Sequence, residues 1–253
     1  MSEEAASLVS SAKAAGASGL LFIRHANAAP LGEGSAGKSE KPHEWKRQDQ
    51  RRLLTSEGTK QCEAARKWFA ALPVRQLICS PARRATDTAV GMGLRTNGET
   101  LPLRMVAGLH PGGGEEACEA MFEAKGYAPL RAYHAEDGGQ EAWGKYASKL
   151  CAELRDCLGK ERAEISLKAQ PATLSLKGGD DGVVSIKVAP QMLFALFGHA
   201  VFLNSIAHAV AVAAGAPQEG LDLILDLDLG ETEGILVPLD YSTGQSVVHG
   251  KTS

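Results

Sequence analysis

Two apolar runs that stop abruptly at ionisable side chains constrain this chain more than any other feature. Leu20-Leu21-Phe22-Ile23 is followed at once by Arg24-His25, and Met192-Leu193-Phe194-Ala195-Leu196-Phe197 runs into Gly198-His199. A third run, Leu77-Ile78-Cys79, breaks at Ser80-Pro81 and leads into Arg83-Arg84-Ala85-Thr86-Asp87-Thr88-Ala89, which reads as the opening of a helix. In an open α/β sheet the carboxyl ends of the parallel strands share one edge, and ligands bind in the crevice there. Two histidines and at least two arginines, distant in sequence, can therefore converge. Guanidinium forks bind phosphate bidentately and neutral imidazole is a competent nucleophile, so such a meeting would suit a phosphoryl group.

The spacing elsewhere supports one domain built around such a sheet. Leu54, Cys62, Ala65, Phe69 and Leu72 share a face of a helix over about 56–71, with Thr55 as N-cap and Pro73 as the stop. Ala85, Thr88, Ala89 and Met92 give a shorter helix. Trp143, Tyr146, Leu150, Leu154 and Leu158 predict a long one over 141–158, and Phe202, Ile206, Ala209, Val210 and Ala213 place another directly after His199. Strands are expected at about 19–24, 76–79, 102–106, 192–197 and 234–239. Alternating segments at 164–168, 173–177 and 183–188 around Gly178–Gly182 predict a hairpin-like insertion at 161–190, and 221–229 reads as an edge strand or a loop. The predicted fold is a three-layer α/β/α sandwich with a mostly parallel central sheet, spanning 19–253 and preceded by an N-terminal arm or short helix over 1–18.

Composition excludes several classes. A formal charge of −3 argues against a nucleic-acid surface, and no stretch is long and apolar enough to predict a signal sequence or membrane span, so an intracellular, cytoplasmic protein is expected. Five cysteines (Cys62, Cys79, Cys118, Cys151, Cys157) without CxxC pairs suit free thiols in a reducing compartment, and neither a metal nor a cofactor is expected. Local positive charge is concentrated in Lys38, Lys41, Lys46, Arg47, Arg51 and Arg52, either a solvated loop or a rim over an anion site.

These motifs together resemble the histidine phosphatase superfamily, with its phosphoglycerate-mutase-like fold. Arg24-His25-Ala26 is similar to the Arg-His-Gly/Ala signature, and Ser80 to Ala89 is similar to Ser-Pro-x-x-Arg-Ala-x-x-Thr-Ala, which maps the family arginine onto Arg84 rather than Arg83. Arg52-Leu53-Leu54-Thr55 with Gly58 and Gln61 resembles Arg-Pro-Leu-Thr, Gly and Gln, and Gly198-His199 the second histidine. Within the superfamily, Leu109-His110-Pro111-Gly112 is most similar to the phosphohistidine phosphatases of the SixA type. Mutases carry Leu-Asn-Glu there, so no glutamate stands at the mutase proton-donor position.

The resemblance implies metal-independent hydrolysis of a phosphomonoester or phosphohistidine, the substrate being a phosphorylated small molecule or phosphoprotein. His25 would be the nucleophile, and Arg24, Arg84 and His199 would stabilise the equatorial oxygens. Glu115 and Glu116 are candidates for the acid, although acidic residues also simply open helices. Asn27 and Ser35 are candidates for binding substrate. Arg83 reads as a surface ion-pair residue and His208 as solvent-facing. Two other functions are carried alongside: a phosphoglycerate-mutase-type phosphotransferase, and a non-catalytic phosphate-binding scaffold with the same fold.

Overall fold

The first apolar run forms β1 (Ala17–Arg24), buried along its whole length except at Arg24. A strand this continuously apolar needs cover on both faces and partners on both edges. The computed structural model supplies them, and it describes residues 2–30, 42–94, 98–111, 115–159, 172–178, 182–188, 192–242 and 244–250. On one side β1 pairs in parallel with β6 (Met192–Gly198), Arg24 lying opposite Gly198, and on the other it pairs antiparallel with β7 (Gly234–Pro238). β2 (Val74–Cys79) runs parallel to β6, β3 (Leu103–Met105) parallel to β2, and β8 (Val248–Gly250) antiparallel to β7. The order is therefore β3-β2-β6-β1-β7-β8. The four parallel strands finish on one edge, where Arg24-His25, Ser80 and His199 stand and from which the chain runs on to His110.

Alternation along the strands divides the core in two. Leu20, Phe22, Ile78, Phe194 and Leu196 point into a cluster with α1 (Glu3–Ala14), α7 (Gly139–Gly159) and α8 (Ala200–Ala214). Leu21, Ile23, Leu77, Cys79, Leu193, Ala195 and Phe197 point the other way, towards α3 (Ser56–Ala70) and α4 (Arg83–Gly93). This is the expected three-layer α/β/α arrangement around a mostly parallel sheet. Thr55 caps α3 as predicted, its side chain accepting from the Gly58 N–H.

Several expectations need correction. Of the two forms expected for residues 1–18, the helix is the one found. Ala5, Leu8, Val9 and Ala12 on one side of α1 enter the core, so this segment is a structural layer and not an arm. The Leu/Asp alternation is helical over 221–226, within α9 (Gln218–Asp226), and continues as loop over 227–229: Leu221, Ile224 and Leu225 pack inward while Asp222 and Asp226 meet Arg131 outside. Tertiary burial of an i, i+3, i+4 set outweighs a period-two pattern that these residues also satisfy. Part of the basic stretch is helical, α2 (Pro42–Arg51); α5 (Glu116–Lys125) begins at Glu116, as the acidic-helix-start reading of that pair allowed, and α6 (Leu130–His134) was not anticipated. The insertion contains the antiparallel hairpin of β4 (Ala172–Gly178) and β5 (Gly182–Val188), while the strand expected at 164–168 lies outside the described residues. All five cysteines are buried free thiols, and among the described residues no helix is long and apolar enough to cross a membrane.

Candidate active site

His25 follows directly from β1, and its backbone N–H donates to the Gly198 carbonyl at 3.0 Å, which ties the ends of β1 and β6 together. Its Nδ1 lies 2.8 Å from the Ala26 carbonyl oxygen, and its Nε2 receives the Arg84 Nε–H at 3.0 Å. A guanidinium has no acceptor and a carbonyl no donor, so Nδ1 carries the proton and Nε2 the lone pair. Burial, assisted by the charge of Arg84, pushes the imidazole down to about 3, so it is neutral at ordinary pH. Arg24 and Arg52 add to this depression.

His199 caps α8 at the end of β6, its ring centroid 5.1 Å from that of His25. Its Nδ1 accepts from Arg84 Nη2 at 3.1 Å, which leaves Nε2–H to donate to Ser80 Oγ at 3.0 Å. Ser80 Oγ also accepts the Ala82 N–H, so the turn between β2 and α4 orients the second imidazole. Burial and the neighbouring Arg84 hold His199 well below the ordinary histidine range. Arg84, in the first turn of α4, sits between the two histidines and is buried with them. Arg24 stands at the rim. Its Nη1 donates to the Leu229 carbonyl at 2.7 Å, its guanidinium carbon lies 4.8 Å from the centroid of the exposed Tyr127 ring, and its buried Nε has no hydrogen-bond partner among the described residues.

Three further residues complete the cluster. Asp49, on α2, accepts from Arg84 Nη2 at 2.9 Å through Oδ2, and the same oxygen lies 3.0 Å from His110 Nε2. Its Oδ1 accepts from Arg52 Nη1 at 3.1 Å. The ion pairs and hydrogen bonds from His110, Arg84 and Arg52 outweigh burial and hold this carboxyl below the ordinary aspartate range. Arg52 is steadied by its Nε bond to the Ala29 carbonyl, and the His110 ring stands edge-on to His199, 5.7 Å away. In the sequence Arg52 was legible only as part of a basic stretch and a motif, His110 only as part of a motif, and Asp49 as part of no motif. Its position three residues before Arg52 within a basic stretch was the available signal.

Asn27 is spent on structure: its Nδ2 donates to Glu231 Oε1, its Oδ1 accepts from Thr55 Oγ1, and its backbone N–H donates to Gln61 Oε1. Ser35, Lys38 and Lys41 lie outside the described residues. Glu115 and Glu116 open α5, as acidic residues at a helix start do. The charge of Glu115 acts on Cys118 and on Lys145 of α7. Arg83 forms an exposed pair with Asp87. His208 is partly exposed, packed against His134 with ring centroids 6.1 Å apart, and burial pushes it down to about 4.

The arrangement is thus a neutral imidazole with a defined lone pair, beside a second imidazole and three guanidiniums, opposed by one carboxylate. Such a cluster can hold a tetrahedral oxyanion and attack it. Among the described residues, no group of three or more His, Cys, Asp or Glu side chains could hold a metal ion.

Residues 20–116 match the family model of the histidine phosphatase superfamily (branch 1), which bears out the resemblance read from the motifs in that stretch. The match contains Arg24, His25, Asp49, Arg52, Arg84 and His110, and His199 lies beyond it. No curated protein matches the sequence. Among solved structures, a protein of Agrobacterium tumefaciens assigned as the phosphohistidine phosphatase SixA is 14% identical, with 87% of this chain and 89% of that one covered at a TM-score of 0.39. A protein of Escherichia coli assigned as an alpha-ribazole-5'-P phosphatase is 14% identical, with 92% and 94% covered at 0.44. A mycobacterial glucosyl-3-phosphoglycerate phosphatase is 17% identical, with 87% and 89% covered at 0.47.

Proposed function

From the match of residues 20–116 to the histidine phosphatase superfamily, we propose that this protein is a phosphatase that works through a phosphohistidine on His25. The observation that carries this reading is the state of His25: neutral, with its proton held on Nδ1 by the Ala26 carbonyl and its Nε2 lone pair turned towards Arg84. Nε2 attacks phosphorus, the bond from phosphorus to the leaving oxygen or nitrogen breaks, and the leaving group takes up a proton. Water then attacks the phosphohistidine, releasing inorganic phosphate and returning His25 to its neutral form.

Arg84 and Arg24 stabilise the charge on the equatorial oxygens, the main catalytic contribution when the transition state is loose. Arg24 has a buried Nε–H that is unpartnered among the described residues, while Arg84 must first surrender its bond to the nucleophile. His199 accepts through Nδ1 in the free protein, so it donates to the phosphoryl group only after taking a second proton, which a bound dianion favours. Of the two substrate classes phosphohistidine is favoured, because no glutamate stands at the mutase proton-donor position in the sequence and a phosphoramidate asks less of an acid than an alkoxide does.

A panel of phosphomonoesters and phosphohistidine peptides tests the reading by phosphate release, together with trapping of the labile phosphoryl group by mass spectrometry. The wild type should release phosphate and carry the label on His25. His25→Ala should lose at least about 10²-fold in rate, as loss of a central catalytic group does. A wild-type rate in His25→Ala, or no phosphate released from any substrate, would falsify the proposal. Transfer to a phosphorylated hydroxy acid without net hydrolysis would indicate the mutase activity instead.

A further inference from the structure

The carboxylate of Asp49 is held as a bound anion would be. Its two oxygens take the Nη2–H of Arg84, the Nε2–H of His110 and the Nη1–H of Arg52 at 2.9, 3.0 and 3.1 Å, and its side chain is only 9% exposed. The Asp49 backbone carbonyl also accepts Arg84 Nη1 at 2.6 Å. Arg84 thereby has four of its five N–H groups engaged: one on His25 Nε2, one on His199 Nδ1 and two on Asp49. In this state little of the guanidinium remains for a ligand, and the carboxylate stands across that single guanidinium from the nucleophilic nitrogen.

A phosphoryl dianion needs the same donors. Two anions in contact within a buried cluster repel strongly, because the low local dielectric screens them poorly. Departure of the carboxylate would free three N–H groups together, on Arg84, His110 and Arg52, for the three oxygens of one phosphoryl group. We propose that Asp49 is an internal occupant of the phosphoryl subsite, which the substrate must displace before Arg84 can serve the reaction. The proposal rests on the reading of this cluster as a phosphoryl site. Asp49 is then a self-ligand that lowers affinity for anions and keeps Arg84 engaged while the site is empty.

Inorganic phosphate binding, followed by calorimetry and by the rise in melting temperature, separates the possibilities. The proteins to compare are the wild type, the near-isosteric Asp49→Asn and, as a second variant, Asp49→Ser. If the open state is populated on the order of one part in ten, removing the competing charge strengthens apparent phosphate affinity about tenfold. Both variants should accordingly gain more melting temperature per increment of phosphate than the wild type. Equal or weaker binding by both variants would overturn the inference, since Asp49 would then be holding Arg84 and His110 in place for the ligand. Absence of phosphate binding in all three proteins would instead remove the underlying reading of the cluster as an anion site.

Discussion

At the scale of single residues, the chemistry of this site is decided by which ring nitrogens carry protons. His25 and His199 both touch Arg84, and because a guanidinium only donates, each imidazole must present a lone pair to it. The opposite nitrogens are then donors, one to the Ala26 carbonyl and one to Ser80 Oγ. Ser80 is thus a positioning residue for His199. Ser80→Ala leaves a buried N–H without its acceptor, a loss of about 1–3 kcal/mol. With the ring orientation relaxed, kcat should fall about tenfold or more while KM moves little. Steady-state kinetics on any substrate identified above checks this, and a change confined to KM would remove Ser80 from the role.

At the scale of elements, the start of α3 shows how a sequence motif becomes architecture. Thr55 caps the helix, and Gly58 lets the chain pass beneath Asn27: a Cβ on Gly58 would stand 2.0 Å from the Asn27 carbonyl oxygen. Gln61, one turn later, accepts the Asn27 N–H and donates to Glu231. The three motif residues thereby clamp the loop that follows His25. Gly58→Ala should cost about 1–3 kcal/mol, the ordinary range for overpacking, and fall at its upper end because the obstacle is backbone. Denaturant midpoints measure it, and an unchanged midpoint would mean that the loop after His25 yields freely. The same element explains why Asn27, polar and two residues from His25, looked like a substrate ligand: only the fold reveals that its amide is already engaged.

For the molecule as a whole, the four parallel strands gather buried histidines at one edge and keep them neutral. Both His25 and His199 are depressed below the unfolded value of about 6.5, so below that pH the unfolded chain binds more protons than the native one. Stability therefore rises with pH across this window and falls on acidification from about 6.5 towards 3, by up to about 1.4 kcal/mol per pH unit for each fully shifted histidine. Asp49, also depressed, adds its own loss once the pH falls through the ordinary aspartate range. The chain should melt at progressively lower temperature between pH 6.5 and 4.5 while the surviving native fraction keeps a neutral His25. Melting curves across that range test the sign: a melting temperature that rose on acidification would contradict the buried neutral histidines.

Local patterns along the chain were enough to find the strands ending at Arg24, Cys79 and Gly198, the helices with clear 3.6 periodicity, and the two histidines and Arg84, because each of these is written in contiguous residues. They read 221–229 as an edge strand or a loop and missed the helix over its first part, since leucines at that spacing satisfy both periods until a core is there to receive one face. Nor could they reach Asp49 or separate Asn27 from the ligand-binding groups. Whether a carboxylate meets a guanidinium or an amide meets its capping partner depends on contacts between residues 28 to 204 positions apart, and those exist only once the sheet has brought its strand ends together.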